Sequence, residues 1–307
     1  MFLPVGRGHR SRISQQNGSP RWRTRCTASH DPIHLRGPAT LFAPLAAVVA
    51  LTAGVPTTAA DGGWRSLRDS AALVLVDDRQ GAILGGVNLV EVPPGWFWMG
   101  WEGGQAGARP RHRVWVDRFA IARAPVTNRD YAVFLEESGI AAPPWWEDPR
   151  FNDPEQPVVG VSWFDATLFC QWLSHHEGAP HRLPTEAEWE KAARGGLEDA
   201  RFPWGEDRPS PDTFGRPARP AETPANPLGL LALSGVCHEW CLDWEDETYY
   251  ARSPDRNPRG PETGGRRVSR GGAWRHQDPW SPVAHRSSLP PGLRYSDYGF
   301  RVLRETG

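Results

Sequence analysis

The side chains best suited to chemistry crowd towards the C-terminal end: His276, Asp278, His285 and Arg286 in one short stretch, with His238 upstream in Cys237-His238-Glu239-Trp240. Imidazoles plus a carboxylate, with one position left open, are the donors that zinc or non-haem iron takes. The same imidazoles also suit acid–base work near neutral pH. The plainer alternative is that His238 and His276 hydrogen-bond loop carbonyls. Arg270, Arg286 and Arg301 are the type of residue that ties loops together through bidentate bonds, and Arg286 could equally face a ligand carboxylate. The thiols offer less. Cys170 falls on an apolar helical stripe and reads as a small core hydrophobe. With Cys237 and Cys241 it makes three cysteines beyond the leader, which cannot all pair internally.

Three helices must help to position these groups, and each announces its start by capping chemistry. Thr127-Asn128-Arg129-Asp130, Ser162-Trp163-Phe164-Asp165 and Thr185-Glu186-Ala187-Glu188 each place a hydroxyl at the cap and a carboxylate three residues on. Gly139, Gly178 and Gly195-Gly196 stop them. His175 and His176 fall at the end of the second helix, where an imidazole is a favourable dipole partner. Val92 to Gly100 reads as a turn feeding a strand, and His112 to Asp117 alternates as a half-exposed antiparallel strand should. Beyond residue 200 turn signals replace helical periodicity. A few helices among short strands and long loops make an α+β domain.

The N-terminal part is different. Residues 1–40 carry many arginines against one acid, Asp31, and are followed by the apolar run Leu41 to Val55 and the small residues Thr58-Ala59-Ala60. A basic flank, a short apolar core and small residues before an acid have the form of a cleaved secretory signal. The run is shorter than the roughly 20 residues of a spanning helix. Residues 1–60 are therefore read as leader and signal, 61–86 as a linker with the strand-like run Ala72 to Val76, and 87–305 as the domain. This predicts an exported protein, periplasmic or extracellular, that meets a membrane only if the N-terminal segment is retained as an anchor. A net charge of −1 gives no reason to expect nucleic acid as partner. With 32 Gly, 31 Pro and 16 Trp, the domain should be loop-rich and filled by aromatics.

An ordered set of motifs resembles the formylglycine-generating enzyme (sulfatase-modifying factor) superfamily. It comprises Pro125-Val126-Thr127-Asn128, Pro157 to Trp163, Arg182 to Glu190, Ala192 to Gly196, Phe202-Pro203-Trp204-Gly205, Gly235 with Glu239-Trp240, Arg270-Gly271-Gly272 and Gly299-Phe300-Arg301. The resemblance implies a C-type-lectin-like fold with little regular secondary structure, often stabilised by calcium. It also implies copper-dependent oxidases and iron-dependent sulfoxide synthases among the relatives.

The departures from that pattern narrow the chemistry. Where the copper oxidases carry their two cysteines this chain has His276 and, by simple counting, Ser281, and no cysteine follows Cys241. Soft thiolates suit Cu(I), so formylglycine synthesis by that route is not expected. The helical bundle that supplies histidines in the iron-dependent branch has no counterpart in the leader and linker. In the calcium loop Gly235 and Glu239 remain but Ala232 replaces a side-chain oxygen, and Asp212 marks a second candidate calcium position. His238 stands where relatives usually have Trp. The resemblance therefore implies that His238 and His276 converge, with Asp278 and His285 nearby, on iron, zinc or copper. Two functions stay open: a metal-dependent or oxidoreductase-type activity, or a non-catalytic module that holds a peptide, protein, glycan or small molecule in a lectin-like cleft.

Overall fold

The computed structural model describes residues 87–207, 215–276 and 281–306. The apolar run Ala72 to Val76, Asp212 and Asp278 lie outside the described residues.

Local chemistry sets the helices: α1 (Asn128–Ser138), α2 (Trp163–Glu177) and α3 (Glu186–Arg194). Each opens on a complete capping box, in which Thr127, Ser162 and Thr185 accept from the backbone three residues on and Asp130, Asp165 and Glu188 return the bond. Such boxes satisfy N–H groups that a helix start leaves without partners. Gly139 and Gly178, both at φ 67°, and Gly195 at φ 56° end the helices in the left-handed conformation.

The strands are short. They are β1 (Leu89–Val92), β2 (Gly95–Met99), β3 (His112–Val116), β4 (Phe119–Ala122), β5 (His181–Arg182), β6 (His238–Trp244), β7 (Arg267–Arg270), β8 (Ser287–Leu289), β9 (Tyr298–Gly299) and β10 (Leu303–Glu305). They form a sheet in the order β1-β4-β10-β5, the hairpin β2-β3, and a sheet in the order β8-β7-β6-β9. All pairings are antiparallel except β6 with β9. The inner row of the hairpin, Phe97, Met99, Val114 and Val116, packs with Trp189, Leu230 and Val268 in one buried cluster. A second cluster joins Tyr131 and Phe134 of α1, Phe169 and Leu173 of α2, Trp240 and Phe300. Burying each of these large side chains stabilises the fold by roughly 1.5–3 kcal/mol.

After residue 200 the only helical segments among the described residues are the short turns Pro220–Glu222 and Tyr249–Ala251, as the lack of periodicity predicts. Among the described residues no helix is long and apolar enough to cross a membrane.

Candidate functional site

His238 opens β6. Its N–H donates to Asp297 O at 2.8 Å, its Cα partner across the parallel ladder is Tyr298, and its ring stacks on Tyr298 with centroids 4.6 Å apart and planes 26° from parallel. The side chain is almost entirely enclosed, at 4% exposure. His276 arrives from the far end of β7, on a turn that begins with Gly271 and Gly272, both at positive φ, and closes with His276 N–H donating to Ala273 O at 3.1 Å. The two imidazoles meet, Nε2 to Nε2, at 3.1 Å. Only glycine fits at 272. A Cβ there would lie 1.7 Å from Ser281 Oγ and 3.4 Å from His276 Nδ1, so Ser281 and His276 both pack against this one backbone position.

His285 extends the cluster. Its ring lies edge-on to His276 with centroids 5.8 Å apart, and its Nε2 is 3.4 Å from Ser287 Oγ. Burial pushes all three imidazoles below the usual histidine range: His238 far down, with the other two rings adding to the effect, His276 down, and His285 to about 4. Asp297 opposes the shift at His276, and burial holds that carboxyl itself above the usual carboxylate range. The three rings are therefore neutral at neutral pH, and each keeps one nitrogen lone pair for a proton or an ion. His238 Nδ1 is buried with no hydrogen-bond partner. A buried N–H without an acceptor is rarer than a spare lone pair, which assigns the lone pair to Nδ1 and makes Nε2–H the donor to His276.

The other residues singled out in the sequence have different surroundings. Arg286 does not face a ligand carboxylate. Its fork closes on Glu186, Nε to Oε1 at 2.6 Å and Nη2 to Oε2 at 3.0 Å, with Nη1 on Gly107 O at 2.6 Å, so its charge is spent inside the protein. Glu239 has both oxygens on Arg301, at 2.5 and 2.6 Å, and a third bond from Trp189 Nε1 at 2.7 Å. Both of its oxygens are therefore engaged inside the protein. Gly235 sits at φ 73° and donates to Gly271 O at 2.9 Å. Cys170, Cys237 and Cys241 are unbridged and buried, and burial pushes their thiols up, away from the thiolate that binds metal or attacks. Among the described residues no group of three His, Cys, Asp or Glu side chains is arranged to hold an ion. Sequence reasoning missed Tyr298 and Asp297 as the supports of His238. The Gly299-Phe300-Arg301 motif marks the segment that follows Tyr298, but only the parallel β6–β9 pairing shows where the Tyr298 ring lies.

Residues 85–306 match the family of the sulfatase-modifying factor enzyme 1-like domain. The chain belongs to this family. It is similar to the formylglycine-generating enzyme of Streptomyces coelicolor, 33% identical over 284 residues that cover 70% of this chain and 88% of that protein. It is also similar to the serine/threonine-protein kinase pkn1 of Chlamydia caviae, 34% identical over 239 residues and 71% of this chain. This chain spans only 38% of that kinase's length. Among solved structures, PvdO from Pseudomonas aeruginosa superposes with a TM-score of 0.62 at 26% identity, over 71% of this chain and 94% of that one.

Proposed function

We propose that this chain is an exported, metal-dependent enzyme of oxidoreductase type, centred on the His238–His276 pair, and that it does not make formylglycine through a copper–thiolate site. The observation that carries the reading is the 3.1 Å separation of the two Nε2 atoms. Two nitrogens bound at about 2.0–2.1 Å to one ion stand roughly 3–4 Å apart, and imidazoles ligate only when neutral, which burial secures here. Imidazole nitrogen is a donor that copper, zinc and iron all accept, and the burial of every described thiol speaks against a thiolate-bound Cu(I). A redox-active ion held there would take up the electrons that oxidation of a substrate releases.

The chain's own residues do the rest. Asp297 O and the Tyr298 ring fix His238, the Gly271–Gly272 turn fixes His276, and His285 stands by as a neutral base beside it. Ligation would move the His238 proton to Nδ1, where no acceptor waits. Since such outer partners are worth about 10–100-fold in affinity, the site should bind more weakly than histidines backed by a carbonyl or carboxylate.

A second reading, a non-catalytic peptide- or glycan-binding module, draws on the outward indoles Trp96, Trp98 and Trp101, exposed by 37%, 38% and 37%. Each already has a guanidinium over its ring, Arg113, Arg111 and Arg201 at 4.9, 5.1 and 5.7 Å, which obstructs stacking by a ligand.

Metal analysis of the purified full chain decides between them. Stoichiometric iron, zinc or copper that is lost in His276→Ala and in His238→Ala, but kept in His175→Ala at the exposed end of α2, supports the enzyme. Calcium alone, or no metal, removes it. A sulfatase-type Cys-x-Pro-x-Arg peptide incubated with Cu(I) and oxygen should return unchanged by mass. Protein from the native host should begin near Asp61 if the chain is exported.

A further inference from the structure

Behind the turn that carries His276 lies a cavity of about 10 Å³, walled mainly by Phe151, Gln156, Pro157, Val236, Cys237 and Trp274. Most of this wall is apolar. Two polar atoms of these lining residues, however, Trp274 Nε1 and Gln156 Oε1, are buried and have no hydrogen-bond partner. They do not bond each other, and the Gln156 amide nitrogen is directed elsewhere, to Pro217 O at 3.4 Å. One of the two is a donor and the other an acceptor. A buried polar group left unmade carries its full desolvation penalty, so two complementary ones on residues that line the same small space call for a mediator.

The size of the space selects it. A cavity of roughly 10–15 Å³ admits one water, and a buried water needs two to four polar partners. We propose that this cavity is a binding site for a single structural water, which accepts from Trp274 Nε1–H and donates to Gln156 Oε1.

The site matters through its neighbours. Trp274 lies two residues before His276, and Cys237 immediately precedes His238. The water ties the turn bearing His276 to the loop bearing Gln156, so Gln156 is a positioning residue that acts on His276 through the water and Trp274. The water itself is independent of the function proposed above; its consequence for His276 rests on that reading.

A high-resolution crystal structure of the full chain tests it. The expected result is an isolated peak within hydrogen-bond distance of both atoms, with no xenon entering the cavity under pressure. No peak there, xenon in its place, or a direct Trp274–Gln156 bond would overturn the proposal. In Gln156→Met, which keeps the bulk and removes the acceptor, the peak should disappear and the two Nε2 atoms should separate beyond hydrogen-bond range. If the peak is lost while the imidazole pair stays in place, Gln156 has no positioning role. Should that variant fail to fold, the wild-type density and the xenon experiment still decide. A wild-type chain that holds the water but no metal defeats the functional reading alone.

Discussion

Arg301→Met probes one of the most enclosed charges among the described residues. Arg301 and Glu239 are both fully buried, at 0% side-chain exposure each. Beyond its fork on Glu239, Arg301 donates to Ala122 O at 3.1 Å and Leu231 O at 3.0 Å, joining the end of β4 to the loop before β6. Methionine fills much of the volume but supplies no donor, so Glu239 would keep only the Trp189 bond. Removing one partner of such a pair costs about 3–5 kcal/mol, a large part of a total stability of about 5–15 kcal/mol. For a domain of this size each kcal/mol moves Tm by about 2–4 °C, so a fall on the order of 10 °C is expected. Thermal and urea denaturation of the full chain read it directly. The double variant Glu239→Gln with Arg301→Met should recover part of the loss, because no uncompensated charge remains. A loss under about 1 kcal/mol in Arg301→Met would refute the ion-pair account. So would a Tm that falls with EDTA in the wild type but not in Glu239→Gln, since that pattern assigns Glu239 to calcium.

Two further outcomes follow from the same interior. Burial, with the Glu186 charge adding to it, pushes the Asp243 carboxyl up from 3.8 to about 8. The folded state therefore holds this proton more tightly than the unfolded chain, and the stability it contributes is complete below about pH 4 and lost as pH rises through about 8. Asp243→Asn keeps an acceptor for the Glu186 N–H, now 2.8 Å from Asp243, so its urea midpoint should fall less than the wild type's between pH 5 and pH 9; an equal fall would show that Asp243 does not carry the titration. Gly272→Ala should lower Tm and abolish any metal bound by the pair, because its methyl would overlap Ser281 Oγ at 1.7 Å and φ there is +64°. Gly292→Ala, with nothing within 4 Å, should stay within about 0.5 kcal/mol of wild type, and comparable losses in the two would remove the steric argument.

By itself the sequence determined whatever is settled within a few residues. The three helix starts and stops were legible because a capping box and a left-handed glycine are local devices, complete in Thr127 to Asp130 or Thr185 to Glu188 without help from the rest of the fold. Strand β2 was legible from the turn that feeds it, β3 from alternation, and the family from an ordered set of motifs. The meeting of His238 and His276 could be anticipated only through that resemblance, since 38 residues separate them and no periodicity links a strand start to a distant turn. Tertiary structure alone decided what the charged residues outside the capping boxes face. Arg286 and Glu239 looked available in sequence, yet burial makes an unpaired charge prohibitive, and each found a partner, Glu186 and Arg301, from a remote segment. The same cause left three histidines neutral: their shifts come from enclosure by β6, β9 and the Gly271–His276 turn, a property that no stretch of chain possesses before it is packed.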